Sequence, residues 1–324
     1  MTAYIIRRLL YAIPVLFSII LVTFLLARSL PGGPFDRAGD KTLPESIRQN
    51  LEAKYGLDDP AYIQFTNYLG GILRGDLGPS YSYRGRSVNQ IIKESFPISL
   101  QLGILSILLA IIIGIPAGII AALRQNTWVD YSSSFVAILG VSIPNIVLGP
   151  LLIYVVSVQL GWLPAARWGA NYKQFYFGWI PPMTKDFWLH AILPVITLGT
   201  AFSATFARLT RASLLQTIRE DYIRTARAKG LTEYGVIMRH AMKNSMIPVV
   251  TVFGPLLISV VTGSFVVERI FGIPGMGEFF VTSITNRDYP IVLGTTLLYS
   301  VGLVLANIGV DLAYAWLDPR IRYD

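Results

Sequence analysis

Residues 98–123 read ISLQLGILSILLAIIIGIPAGIIAAL, twenty-six positions without a charged side chain. An α-helix rises ~1.5 Å per residue, so the run is long enough to cross a hydrocarbon core of about 30 Å. Five more uncharged runs share the chain: Leu9–Ala27, Tyr131–Leu160, Ala191–Ala207, Ser245–Val267 and Pro290–Val310. The fourth has 17 residues and is thinned by polar side chains; the others have 19 to 30. Six buried core helices in a soluble protein would need a far larger polar shell than remains. Of the 324 residues, 53% are apolar and 14% charged, against about 25% charged in soluble domains. The expectation is an all-α membrane protein with six transmembrane helices. Arg7-Arg8 before the first run resembles a signal peptide's start, but the run is long and lacks a clear small-residue cleavage site, so it is read as a retained helix.

Orientation follows from Lys and Arg in the short loops. With the N-terminus in the cytoplasm, the inner segments hold thirteen basic residues: Arg7, Arg8, Arg124, eight from Arg208 to Lys243, Arg320 and Arg322. The short outer loops hold five: Arg167, Lys173, Lys185, Arg269 and Arg287. Both termini are therefore expected in the cytoplasm. The net charge of +8 fits basic inner loops and needs no nucleic acid.

The segment 29–96 lies outside. Pro31-Gly32-Gly33-Pro34 marks a turn. After Pro44, Ile47, Leu51 and Tyr55 recur at helical spacing; after Pro60, Ile63, Phe65, Leu69 and Ile72 form a second apolar pattern. Two short surface helices are expected, serving as a cap on the bundle or as a docking platform. Residues 161–190 hold Trp162, Trp168, Tyr172, Phe175, Tyr176, Phe177, Trp179, Phe187 and Trp188, a pattern suited to the headgroup level.

The main cytoplasmic segment is 208–244. Its run from Arg219 to Lys229 reads as a helix ending at Gly230, where a left-handed terminus costs least. Glu220 and Asp221 near the start and Arg227 and Lys229 near the end suit the helix dipole. Thr232 is a candidate N-cap for a second helix carrying Tyr234, Val236, Ile237 and His240 back to the membrane. The result is a compact basic knob.

Bond-making chemistry is hard to find. There is no cysteine, so no disulfide or thiolate site. No Gly-Lys dipeptide occurs, so no phosphate-binding P-loop; Gly-x-Ser-x-Gly and His-Glu-x-x-His are also missing. His190 and His240 fall on opposite faces of the membrane. No catalytic residue, metal ligand or cofactor is expected. Asp311 is the deepest acid that the runs reveal, which counts against an ion-driven carrier. Gly114-x-x-x-Gly118 permits close helix approach. Pro116, Pro144, Pro194 and Gly254-Pro255 are places for kinks. Gln101, Asn145, Thr197, Thr200, Ser203, Thr262 and Ser264 are candidates for a polar path; hydrogen bonding between helices explains them equally well.

Tyr222-Ile223-Arg224-Thr225-Ala226-Arg227-Ala228-Lys229-Gly230-Leu231 resembles the cytoplasmic loop signature of permease subunits in bacterial ABC importers, within the dipeptide, oligopeptide and nickel branch. The triplet Arg224-Thr225-Ala226 stands where the broader signature has Glu-Ala-Ala. The likeness covers essentially the whole chain. It continues in Glu268-Arg269-Ile270-Phe271-Gly272-Ile273-Pro274-Gly275-Met276-Gly277, in Asn286-Arg287-Asp288-Tyr289-Pro290 and in Leu317-Asp318-Pro319-Arg320-Ile321-Arg322-Tyr323. Near the front, Ile5-Ile6-Arg7-Arg8-Leu9, Leu30-Pro31-Gly32-Gly33-Pro34-Phe35, Glu52-Ala53-Lys54-Tyr55-Gly56-Leu57 and Gly75-Asp76-Leu77-Gly78-Pro79-Ser80 resemble the first, or B, permease of oligopeptide systems.

The resemblance implies a type I ABC importer permease fold in a bacterial cytoplasmic membrane. It implies a first part, 1–95, with one helix and an extracytoplasmic segment. A transmembrane domain, 96–317, follows, with spans near 98–123, 131–160, 189–209, 245–267 and 290–316 and a coupling loop at 210–244. Implied partners are a second, related permease, two ATP-binding subunits, an extracytoplasmic peptide-binding protein and membrane lipid. Carried over by position, coupling to the ATPases falls to Tyr222, Arg224, Thr225, Ala226, Arg227, Ala228, Lys229, Gly230 and Leu231. The implied function is ATP-driven oligopeptide import by alternating access. Alternatives are dipeptides, glutathione, nickel or haem on the same architecture, or a stand-alone ion-coupled carrier.

Overall fold

A computed structural model of the chain describes residues 2–29, 32–35, 44–169 and 175–317. The terminal motif from Asp318 onward, with Pro31, Tyr172 and Lys173, lies outside the described residues. Thirteen α-helices and two short π-helical stretches make up the described secondary structure, which contains no strand beyond two isolated bridges.

Helix α1 (Thr2–Ser29) leads toward the segment 29–96. There α2 (Glu45–Lys54) and α3 (Ala61–Leu73) form where the apolar patterns place them, directly after Pro44 and Pro60. Proline lacks an N–H and has φ fixed near −65°, which suits a helix start. Helix α4 (Val88–Leu123) is capped by Ser87, whose Oγ accepts from the Gln90 amide at 3.2 Å. That bond satisfies an amide otherwise orphaned in the first turn.

The uncharged run 131–160 is not one straight helix. Helices α5 (Trp128–Ser142) and α6 (Asn145–Leu152), the latter continued by a π-helical stretch to Gln159, meet at 101°. The cause is Pro144: its ring disfavours helical geometry at the preceding residue, and Ile143 is extended at φ −87°, ψ 112°.

Helix α7 (Lys185–Thr217) has 33 residues and outruns the span expected at 189–209. Helices α8 (Asp221–Ala228), α9 (Glu233–Gly235) and α10 (Met242–Ser245) build the basic knob, with a π-helical stretch at Val236–Ala241. Helices α11 (Ile247–Ile270), α12 (Met276–Asn286) and α13 (Tyr289–Leu317) complete the chain. Among the described residues four helices are long and apolar enough to cross a membrane, or five if the bent α5–α6 pair is one span. Helix α11 holds the remaining uncharged run; its side chains at 255 and 257–263 lie outside the described residues.

The bundle is organised on α4 and α7. A Cβ added at Gly114 would stand 2.4 Å from the Ser203 carbonyl oxygen, and one at Gly118 would stand 2.5 Å from that of Ala207. The two backbones therefore touch, which is what small residues at four-residue spacing permit in lipid. Around this seam Leu102, Ile107, Leu193, Leu198, Val267 and Phe271 form the main core. Helix α3 rests on α1, with the Phe65 ring 5.9 Å from Phe17 and 5.2 Å from Phe24.

Two aromatic residues expected at the headgroup level lie in the core instead. Trp168 is 1% exposed, packs edge-on against buried Phe187, and donates from Nε1 to Gln101 Oε1 at 2.8 Å. Trp162 and Phe177 stay exposed. An indole has one polar atom, and a single buried amide acceptor removes its need for the interface.

Candidate coupling site

The knob is a helix, a tight turn and a second helical segment. Helix α8 presents one face inward: Ile223 and Ala226 are buried and cluster with Ala122, Leu214, Val236 and Ala241. The helix is thus bolted to the ends of α4 and α7 by apolar contacts. Gly230 ends it with φ +76°, and its amide bonds the Arg227 carbonyl at 2.9 Å. This left-handed conformation is open to glycine without a Cβ penalty. Thr232 then caps the next segment, its Oγ accepting from the Gly235 amide at 3.3 Å.

Across the turn Arg227 grips Glu233 with two bonds, Nε to Oε2 at 3.0 Å and Nη2 to Oε1 at 2.7 Å. The Arg227 guanidinium holds the Glu233 carboxyl below the ordinary carboxylate range. Tyr222 Oη accepts from Asn244 Nδ2 at 2.8 Å, joining the start of α8 to α10. Arg224 pairs with Asp221 at 3.2 Å, both largely exposed.

Of the nine residues expected to meet the ATPase, eight line the outer surface: Tyr222, Arg224, Thr225, Arg227, Ala228, Lys229, Gly230 and Leu231. Ala226 does not; it is 6% exposed and faces the bundle. Its small side chain allows close approach to this chain's own helices. Arg227 is committed to Glu233 within the chain. Tyr234, 75% exposed beside Leu231, adds an apolar tip that sequence reasoning left out of the set.

Beneath the knob, Asp130 at the start of α5 is 1% exposed and bidentate to Arg211 of α7, at 2.6 and 2.7 Å. Asp130 also accepts from the Asn126 amide at 3.0 Å. This pair ties the α4–α5 turn to the shaft on which α8 sits.

Five of the seven path candidates bond within the fold. Thr197, Thr200 and Ser203 each donate to the carbonyl four residues earlier in α7. Gln101 is spent on Trp168 and on the Trp179 carbonyl, at 2.6 Å. Ser264 is buried against Glu268; Asn145 is half-buried at the start of α6; the Thr262 side chain lies outside the described residues.

The uncharged run ends at Val267, but α11 continues to Ile270, so Glu268 lies inside the helix and is fully buried. Counting uncharged runs passes it over, because it stands just beyond one. Asp288 between α12 and α13, buried like Asp130 and Glu268, accepts from Ser80 Oγ at 2.5 Å and from the Ser82 amide at 2.9 Å. It pins the outer segment to the bundle.

Residues 114–323 match the binding-protein-dependent transport system inner membrane component, and residues 1–103 match the N-terminal part of the membrane component of such systems. The chain is 42% identical over 323 residues to the oligopeptide transport system permease protein OppB of Escherichia coli strain K12, covering 100% of both chains. It is 43% identical over 322 residues to the dipeptide transport system permease protein DppB of Bacillus subtilis strain 168, covering 99% of this chain and 98% of that one. A structure of the inward-facing MetNI methionine ABC transporter superposes with TM-score 0.55 at 17% identity, over 70% of this chain and 96% of that chain. An amino acid ABC transporter structure does so with TM-score 0.50 at 18% identity, over 69% and 92%. The two structures share this chain's fold. With matches to the family over most of its length and to its members end to end, the chain belongs to the binding-protein-dependent transport system inner membrane components.

Proposed function

We propose that this chain is one half of the membrane pore of a peptide importer, worked by ATPase subunits that are separate chains. The observation that carries this is the knob: an apolar inner face anchors it to α4 and α7, and eight exposed residues stand ready for a partner. In this reading the chain crosses the membrane six times with both termini cytoplasmic, and the knob lies on the ATPase side. A second, related permease completes the cavity, two ATP-binding subunits sit beneath, and an extracytoplasmic binding protein delivers peptide. OppB and DppB are nearly equal in identity to this chain, so oligopeptides and dipeptides are both within the substrate class.

The mechanism follows from the anchoring. Closure of the ATPases around ATP draws the two knobs together. Through Leu214–Ile223 packing and the Asp130–Arg211 pair, that displacement passes into α7 and the α4–α5 turn. The bundle tilts and the cavity opens outward; hydrolysis resets it. The chain itself makes and breaks no covalent bond.

Co-purification with a tagged copy, followed by mass identification, tests the assembly; recovery of the chain without any ATP-binding subunit counts against it. Gly230→Asp tests the contact. Aspartate tolerates left-handed backbone, and a Cβ there meets nothing within 4 Å in this chain. The variant complex should assemble in normal amount and lose ATP-dependent peptide uptake. Full uptake would remove Gly230 from the interface.

A further inference from the structure

The outer end of the bundle holds a carboxylate for which the mechanism above has no use. Glu268 is fully buried. Its Oε1 accepts from Ser99 Oγ at 2.6 Å and from Ser264 Oγ at 2.7 Å, and its Oε2 accepts from the Gly277 amide at 2.9 Å. Ser99 Oγ in turn accepts from the Met276 amide at 2.7 Å. One side chain of α11 thus joins α4 to the first turn of α12. Among the described residues it forms no salt bridge.

The cradle is cut to fit. A Cβ at Gly275 would stand 2.4 Å from the Glu268 carboxyl carbon. At Gly277 it would stand 2.5 Å from Phe265 Cβ and 3.0 Å from Glu268 Oε2. Neither glycine has a left-handed φ, so these positions need glycine for room. The loop 271–275 between α11 and α12 is closed over the same carboxylate, with the Ile273 amide bonding the Glu268 carbonyl at 2.8 Å.

Burying a carboxylate without a cation is a poor way to gain stability, since an apolar or neutral group of similar size generally does as well or better. The two serine hydroxyls share Oε1 and the Gly277 amide, which can only donate, takes Oε2, so both oxygens of the carboxylate are used in closing the network. The network lies at the end of α11 opposite the knob.

We propose that Glu268 is a positioning residue for translocation: it latches the α11–α12 loop to α4 so that the outer rim moves with the shaft. This rests on the importer reading. With the latch intact, movement started at the knob opens and closes the outer rim. Without it, α12 no longer follows α4, while the ATPases at the far end still cycle.

The test uses the whole transport complex with its binding protein in membrane vesicles. A labelled mixture of alanine tri- to hexapeptides is the probe. For E268Q, and separately for Ser99→Ala combined with Ser264→Ala, complex content, ATP hydrolysis stimulated by the binding protein, and uptake are measured together. The expected result is complex content and stimulated hydrolysis within about twofold of wild type, with peptide taken up per ATP reduced at least tenfold. Equal falls in hydrolysis, uptake and complex content would make Glu268 merely structural and overturn the proposal; so would an unchanged ratio of uptake to hydrolysis. If wild-type vesicles themselves show no ATP-dependent uptake of these peptides, it is the importer reading that fails.

Discussion

Arg227 and Glu233 face each other across the turn that Gly230 makes, and their contact is sensitive to acid. The carboxyl lies below its ordinary range in the folded turn. Its stabilising contribution is therefore complete above the ordinary carboxylate pKa and is lost as pH falls through the depressed value. Both side chains are about half exposed, 41% and 60%, so the contribution is small, below about 1 kcal/mol. The thermal midpoint of the Glu233→Gln complex should lie slightly below wild type near neutral pH, and the gap should close on acidification. A gap that persists in acid would mean that the carboxylate charge is not involved. This pairing was only half legible in sequence. The capping order and the glycine stop were plain, but that Arg227 spends its charge inside the chain depends on how the turn folds back.

At the scale of elements, the α4–α7 seam and the Asp130–Arg211 pair make separate demands. Gly118→Val would drive a side chain into the Ala207 carbonyl and Thr210 Cβ, 2.5 and 2.7 Å away. Overpacking of this kind costs about 1–3 kcal/mol, so the variant should yield less complex and melt earlier; wild-type melting would mean that the helices shift apart at no cost. Asp130→Asn leaves Arg211 without its carboxylate. Losing one partner of a buried pair costs about 3–5 kcal/mol, and the 31% exposure of Arg211 puts the expected loss at the low end. Replacing both residues by neutral ones should recover part of it, as a double-mutant cycle would read. The helices of the outer segment and knob were legible because proline, glycine and apolar spacing act locally. Two features were hidden. The α5–α6 break sits inside an uncharged run, where counting charges registers nothing and only Pro144 speaks. The Glu268 site draws on Ser99, 169 positions away, and no local pattern foretells such a partner.

At the scale of the whole molecule, the six-span arrangement is open to direct labelling, because the chain has no native thiol. Cysteine at Leu73, 89% exposed on α3, should react with a membrane-impermeant maleimide in intact cells. Cysteine at Lys229 should react only after the membrane is opened. Reaction at 229 from outside with protection at 73 would invert the topology, and reaction of both from outside would refute the crossings drawn between them. Composition and run lengths gave the membrane class; the order of helix contacts came from the fold alone. Helix α7 shows what that order provides. Its 33 residues make a rod about 50 Å long, well beyond the ~30 Å of hydrocarbon. One of its tips carries the knob, and the other reaches the Trp168 cap. In the proposed importer such a rod acts like a piston: a shove of a few ångströms received at the knob arrives at the far tip nearly undiminished, without a relay of loops to absorb the stroke.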